Sequence, residues 1–277
     1  MSRNLRHYPS PGRLDNIHVK NGANSTLVKN NDLKVEGAAV AADFPTPNLS
    51  LICLLRPLMR LQWSRKNYRD AISVMTAENI FWSEGHVTRE QRWARNGHKG
   101  CVVWLTGLPG AGKSTLSRVI ERELFARGLN AFVLDGDNLR HGLNSNLGFS
   151  PPDRTENIRR TAEVGSLLAS AGHVAIIALI SPYRLDRLAA REIARAGGCG
   201  FVEVFVDAPL QICEQRDPKD LYRRARAGEI RNLTGIDAPY QSPENPEIHV
   251  RTDERSVEAC LELILKSLLP RLCLERP

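Results

Sequence analysis

The nine residues Gly107, Leu108, Pro109, Gly110, Ala111, Gly112, Lys113, Ser114 and Thr115 carry the strongest chemical pattern in this chain of 277 residues. They fit G-x-x-x-x-G-K-[ST], with Gly107, Gly112, Lys113 and Ser114 at the fixed positions. Glycines let the backbone curl until successive N–H groups point into one concavity. The N-terminus of a following helix adds its dipole, and a polyphosphate suits the result. Lys113 can reach the β- and γ-phosphates, and the Ser114 hydroxyl can ligate Mg²⁺. Pro109 has no N–H to donate, but it stands early in the loop. It is expected to stiffen the turn without removing a phosphate contact.

Asp135 and Asp137 form the second candidate group. They close an apolar run over residues 131–138. An Asp-Gly-Asp sequence alone is usually a turn. At the carboxyl end of a strand beside a phosphate loop it gains a use, because ligands of open α/β sheets sit there. A carboxylate so placed can hold Mg²⁺, directly or through water. It can also orient or deprotonate an attacking hydroxyl. Arg154, Asn157, Arg159 and Arg160 form the third group, on a helix expected from an N-cap at Ser150 to about Ala171. Their default reading is a solvated face. An anionic substrate, however, needs fork-shaped donors, and they are concentrated here.

The elements that must position these groups alternate. Cys101–Thr106 reads as a buried strand just before the glycine loop, and residues 116–127 as an amphipathic helix just after it. Residues 131–138 read as a second strand and 139–149 as a loop. The most apolar run, 173–180, reads as a central strand ending in Ser181-Pro-Tyr-Arg184. A helix over 185–196, a strand over 201–207 and a short strand over 247–252 follow. Val257, Cys260, Leu261, Ile264 and Leu268 stripe a closing helix. The basic stretch 215–240 holds few core residues and reads as a lid over the nucleotide phosphates. Five alternating strands predict an α/β fold with a parallel sheet and helices on both faces.

The net charge of +7 invites a nucleic-acid reading that its distribution removes. Residues 1–74 hold eleven Lys/Arg against five Asp/Glu, a net +6, so the remainder is close to neutral. Residues 1–50 are rich in Asn, Gly, Pro and Ser without a sustained period and are expected to be disordered. The apolar run over 51–61 is interrupted by Arg56, Pro57 and Arg60 and falls short of the ~20 residues of a membrane span. Asp15, Asp32, Glu36 and Asp43 argue against an organelle transit peptide, so a cytoplasmic site is expected, with organellar import the alternative. Thr88 to Gln91 has the spacing of a capping box, which starts a helix. The expected organisation is therefore an extension over 1–74, an arm over 75–99 and a catalytic domain over 100–277, with Met75 as a candidate translation start. Six cysteines include no C-x-x-C pair. Cys101, Cys213 and Cys260 fall in apolar-periodic segments and read as buried thiols.

Seven segments together resemble the adenylylsulfate kinase (APS kinase) family of P-loop kinases. They are the glycine loop, Leu134-Asp-Gly-Asp-Asn-Leu-Arg-His-Gly-Leu-Asn144, Leu147-Gly-Phe-Ser150, Asp153-Arg-Thr-Glu-Asn-Ile-Arg-Arg160, Ile180-Ser-Pro-Tyr-Arg184, Gln215-Arg-Asp-Pro-Lys219 and Thr234-Gly-Ile-Asp-Ala-Pro-Tyr240. The likeness spans about residues 77–270. It implies a P-loop NTPase-type sheet and transfer of the ATP γ-phosphate to the 3′-hydroxyl of adenosine 5′-phosphosulfate (APS), giving PAPS, in sulfate assimilation. It also implies Asp137 as the metal-binding and catalytic acid. Arg140, Phe149, Arg154, Asn157, Ile180 and Ser181 match the APS-contacting positions. Phe149 can stack on adenine, and Arg140 and Arg154 can grip the phosphosulfate. Ser181 matches a serine that the family's description makes a phosphoserine intermediate. Direct in-line transfer is more economical, since the 3′-hydroxyl is itself a nucleophile. The resemblance further implies a homodimer and ATP sulfurylase as a possible partner. Pro109 stands where the family usually has Ser, and Asp220 where it mostly has Gly. Competing readings are a kinase for a nucleoside monophosphate or a sugar, and a nucleotide-binding module without catalysis. No nucleic acid and no membrane are expected as partners.

Overall fold

The computed structural model describes residues 85–274, together with Phe81, Ser83 and two short strands near the N-terminus. The chain divides into two units, residues 1–81 and 82–277. In the first, Lys20–Asn21 (β1) pairs antiparallel with Asn24–Ser25 (β2). The expectations for the apolar run over 51–61, for Met75 and for the rest of 1–74 lie outside the described residues.

The second unit is built on five parallel strands. They are Cys101–Thr106 (β3), Ala131–Asp135 (β4), Val174–Ala178 (β5), Gly200–Asp207 (β6) and Ile248–Arg251 (β7), in the spatial order β4-β5-β3-β6-β7. The strand that leads into the glycine loop is thus central. All residues of β3 and β5 are buried, as expected when helices cover both faces of a sheet. On one face Val103, Leu105 and Ile176 pack with Leu116, Ile120 and Leu124 of helix α2 (Lys113–Ala126). Ile264 and Leu268 of helix α8 (Val257–Leu272) complete that layer. Each such side chain contributes about 1.5–3 kcal/mol by leaving water. On the other face runs helix α4 (Pro151–Ser170), packed on β5 and β3 and against helix α5 (Arg184–Ala196). Gly165 lets α4 approach, since a Cβ there would stand 2.7 Å from Ile177 Cδ1.

Helix α1 (Arg89–Asn96) starts at the expected capping box: Gln91 N–H donates to Thr88 Oγ1 and Thr88 N–H to Gln91 Oε1. Trp93 and Asn96 fasten it through Ala169 O (3.3 Å) and Gly172 O (3.1 Å). Several expected boundaries shift. β4 ends at Asp135 rather than 138, because the Asp135 side chain caps a four-residue helix, α3 (Gly136–Leu139), by accepting from Asp137 N–H. Asp137 therefore stands on a helical turn, not at a strand end. Helix α2 begins at Lys113, three residues earlier than its apolar stripe suggests, since Gly112 at φ +99 already turns the chain. Lid segment 215–240 is also better anchored than its composition implies. Helices α6 (Leu210–Arg216) and α7 (Leu221–Arg226) bracket its start, and Tyr222 and Leu233 join the core.

Candidate active site

The phosphate loop forms at the carboxyl end of the central strand, where little room is left. A Cβ on Gly107 would stand 2.2 Å from Val206 O, so only glycine lets the loop leave β3 beside β6. Lys113 Nζ donates back across the loop to Gly107 O (2.9 Å) and Leu108 O (2.7 Å). Its burial pushes the ammonium from 10.5 down to about 8. The Ser114 hydroxyl donates to Asp135 Oδ2 at 2.7 Å, so the loop and the end of β4 touch as expected. The Asp137 carboxylate meets the lid through an ion pair with Lys219. Pro109 keeps a structural task, since its carbonyl accepts the Tyr222 hydroxyl at 2.9 Å.

The opposite wall comes from α3, α4 and the turn after β5. Two guanidiniums stand near the Phe149 ring, Arg140 at 4.3 Å and Arg154 at 5.8 Å from its centroid. Arg140 also donates to Leu147 O and Gly148 O, both at 2.9 Å, and Arg154 to Phe149 O (3.0 Å) and Asn232 O (2.7 Å). Burial lowers the pKa of both guanidiniums. Asn157 is buried, and its Oδ1 accepts from Asn144 Nδ2 at 3.1 Å. Ile180 O accepts the Thr106 hydroxyl at 2.8 Å. Ser181 has a left-handed backbone, φ +41, which is uncommon outside glycine and common at functional turns.

One cavity of about 650 Å³ joins the two walls. Pro109, Gly110, Gly112, Lys113, Ser114 and Thr115 line it from the loop side, with Asp135 and Asp137. Arg140, Phe149, Arg154, Asn157, Ile180 and Ser181 line it from the other. Gly107, Leu108 and Ala111 do not: the first two offer carbonyls to Lys113, and Ala111 is fully buried in the core. Oxygen donors at Ser114, Asp135 and Asp137 suit a hard cation. Among the described residues no group of three or more His, Cys, Asp or Glu could hold a metal.

Some functional neighbours were missed in the sequence. Trp104 donates its indole N–H to Ser181 Oγ at 3.0 Å, although Trp104 reads only as a core strand residue. Arg216 binds Thr252 O at 2.7 Å and lines the cavity beside the loop. Arg187 is buried on α5; its signal was a charge on the same helical face as Ala190 and Ala194. Asp220 takes φ +54, a left-handed form that favours glycine.

A glycine loop at the carboxyl end of a central parallel strand, followed by a helix that opens with a buried lysine, defines a P-loop nucleotide-binding protein. The family model for adenylylsulphate kinase matches residues 99–251. The adenylyl-sulfate kinase of Staphylococcus carnosus (strain TM300) is 55% identical over 195 residues, covering 70% of this chain and 97% of the relative. That of Saccharomyces cerevisiae (strain ATCC 204508 / S288c) is 49% identical over 193 residues, covering 70% and 95%. A solved structure of Mycobacterium tuberculosis APS kinase in complex with AMPPNP and APS superposes with a TM-score of 0.60. It is 50% identical and covers 62% of this chain and 98% of that one. The chain belongs to the adenylylsulphate kinase family and is a kinase. No helix among the described residues is long and apolar enough to cross a membrane.

Proposed function

We propose that this kinase transfers the γ-phosphoryl group of ATP to the 3′-hydroxyl of APS, releasing ADP and PAPS. The observation that carries the reading is one shared cavity, which has the phosphate loop on one wall and every APS-matching residue on the other. Donor and acceptor can meet there without leaving the site.

The triphosphate lies against the N–H groups of the loop and the N-terminus of α2. Lys113 turns from the carbonyls of Gly107 and Leu108 to the β- and γ-phosphates. Phe149 stacks on the adenine of APS, while Arg140, Arg154 and Asn157 hold its phosphosulfate. Asp137 accepts the hydrogen bond of the 3′-hydroxyl and takes its proton as the oxygen attacks phosphorus. Ile180 and Ser181 bound the acceptor from below. Ser114, Asp135 and Asp137 would hold Mg²⁺, which when bound neutralises charge on the transferring phosphoryl group. Lys219 must release or share Asp137 as substrates enter. The 1–74 extension, the 75–99 arm and the 100–277 kinase domain remain the proposed organisation. A cytoplasmic homodimer, able to associate with ATP sulfurylase, is the proposed setting, and sedimentation tests both associations.

The test is a coupled assay of ADP release with APS, AMP or gluconate as acceptor. Release that depends on APS alone supports the reading. Turnover with AMP or gluconate in preference to APS overturns it.

A further inference from the structure

Arg187 is 3% exposed and lies outside the cavity, and the phosphoryl transfer above makes no use of it. A buried guanidinium persists only where its N–H groups all find acceptors. Its Nε donates to Glu203 Oε1, its Nη1 to Ser181 O and its Nη2 to Gln241 O, each at 2.7 Å. Charge balance needs only Glu203. The other two arms reach carbonyls of two separate loops, one following β5 and one following the lid.

Those loops are laced to each other around it. Gln241 N–H donates to Pro182 O at 2.9 Å, and Arg184 N–H donates to Gln241 Oε1 at 3.0 Å. Tyr240 meets the Thr106 hydroxyl at 3.0 Å, and its ring lies 5.9 Å from the Arg187 guanidinium carbon. Arg187 binds both loop carbonyls while Glu203 anchors it to β6. Ser181 meanwhile keeps a left-handed backbone that a serine does not adopt without support.

We infer that Arg187 is a positioning residue for the acceptor. It holds the Ile180–Ser181 turn in shape against the cavity and ties the C-terminal end of the lid to that same turn. The inference rests on the acceptor reading of Ile180 and Ser181 given above. Neither Lys113 nor the loop over 107–112 hydrogen-bonds Arg187, so the ATP side does not depend on it.

Initial rates with APS and ATP varied independently test this on the wild-type chain, on Arg187→Lys and on Arg187→Met/Glu203→Gln. The lysine keeps a charge beside Glu203 but lacks the fork that reaches two carbonyls. The double variant removes both buried charges together, leaving none unpaired, and Arg191 still pairs with Glu247 at 2.6 Å. We expect KM for APS to rise about tenfold or more in both variants, as small displacements at a reacting centre do. KM for ATP should stay within about twofold. Equal rises in both constants, an unchanged APS constant, or loss of the fold in both variants would assign Arg187 to stability alone and overturn the proposal. A wild-type chain that binds ATP but never turns over APS would instead remove the acceptor reading beneath it.

Discussion

Trp104 donates its indole N–H to the Ser181 hydroxyl oxygen across 3.0 Å, and both residues are almost fully buried. Among the described residues no carboxylate or imidazole hydrogen-bonds that hydroxyl. A serine held as an acceptor fits the direct transfer proposed above.

Ser181→Ala should therefore keep measurable activity, within about a hundredfold of wild type, and no phosphoserine should form on incubation with ATP. Intact-mass spectrometry of the quenched enzyme reads this directly. A stoichiometric phosphoserine at 181 that discharges on adding APS would establish the covalent route.

Lys219 pairs with Asp137 although both side chains are more than half exposed. Such a pair contributes no more than about 1 kcal/mol and weakens with salt. Lys219→Ala should expose the lid arginines Arg223, Arg224 and Arg226 to trypsin about fivefold faster or less. High salt should reproduce the effect in the wild-type chain, and ATP with APS should suppress it. Cleavage rates indifferent to both the substitution and salt would show that the pair does not hold the lid.

Glu156 binds Arg159 at 2.7 Å and Arg160 at 2.8 Å, and hydrogen bonds from Arg159, then Arg160, hold its carboxyl down to about 2. A carboxylate with a depressed pKa stabilises the fold fully above its ordinary value of 4.5, and the contribution fades as pH falls towards 2. Water screens the group, so Glu156→Gln should cost no more than about 1 kcal/mol at pH 7. The difference from wild type should shrink between pH 4.5 and 2 in urea titrations. A constant difference across that window would mean that the charge is not responsible.

A chain shortened to residues 75–277 should keep kcat/KM within about threefold of full length, since the proposed reaction uses no group before residue 107. A large loss of activity in the shortened chain would assign residues 1–74 a part in the site.

Strands and loop were legible because they rest on local rules. An apolar run flanked by glycines gives β3, and fixed spacing gives Lys113 and Ser114. The Asp135–Asp137 turn was placed correctly beside the loop, but its helical form was not, because a side-chain cap decides it. Long-range partners were hidden for a different reason. Trp104 and Ser181 are 77 residues apart, and Arg187 and Gln241 are 54 apart. No local period records such pairings. A buried arginine on an alanine face was the nearest thing to a signal, and Tyr222 in the lid offered none until its hydroxyl met Pro109.

The central claim is the identity of the acceptor atom. Phosphorus NMR of the product from equimolar ATP and APS reads it directly. A new phosphomonoester coupled to the ribose 3′ proton should appear in step with ADP, with the phosphosulfate resonance unchanged, and Lys113→Ala should yield neither. A phosphate on any other position, or ADP formed while APS stays intact, would contradict the account.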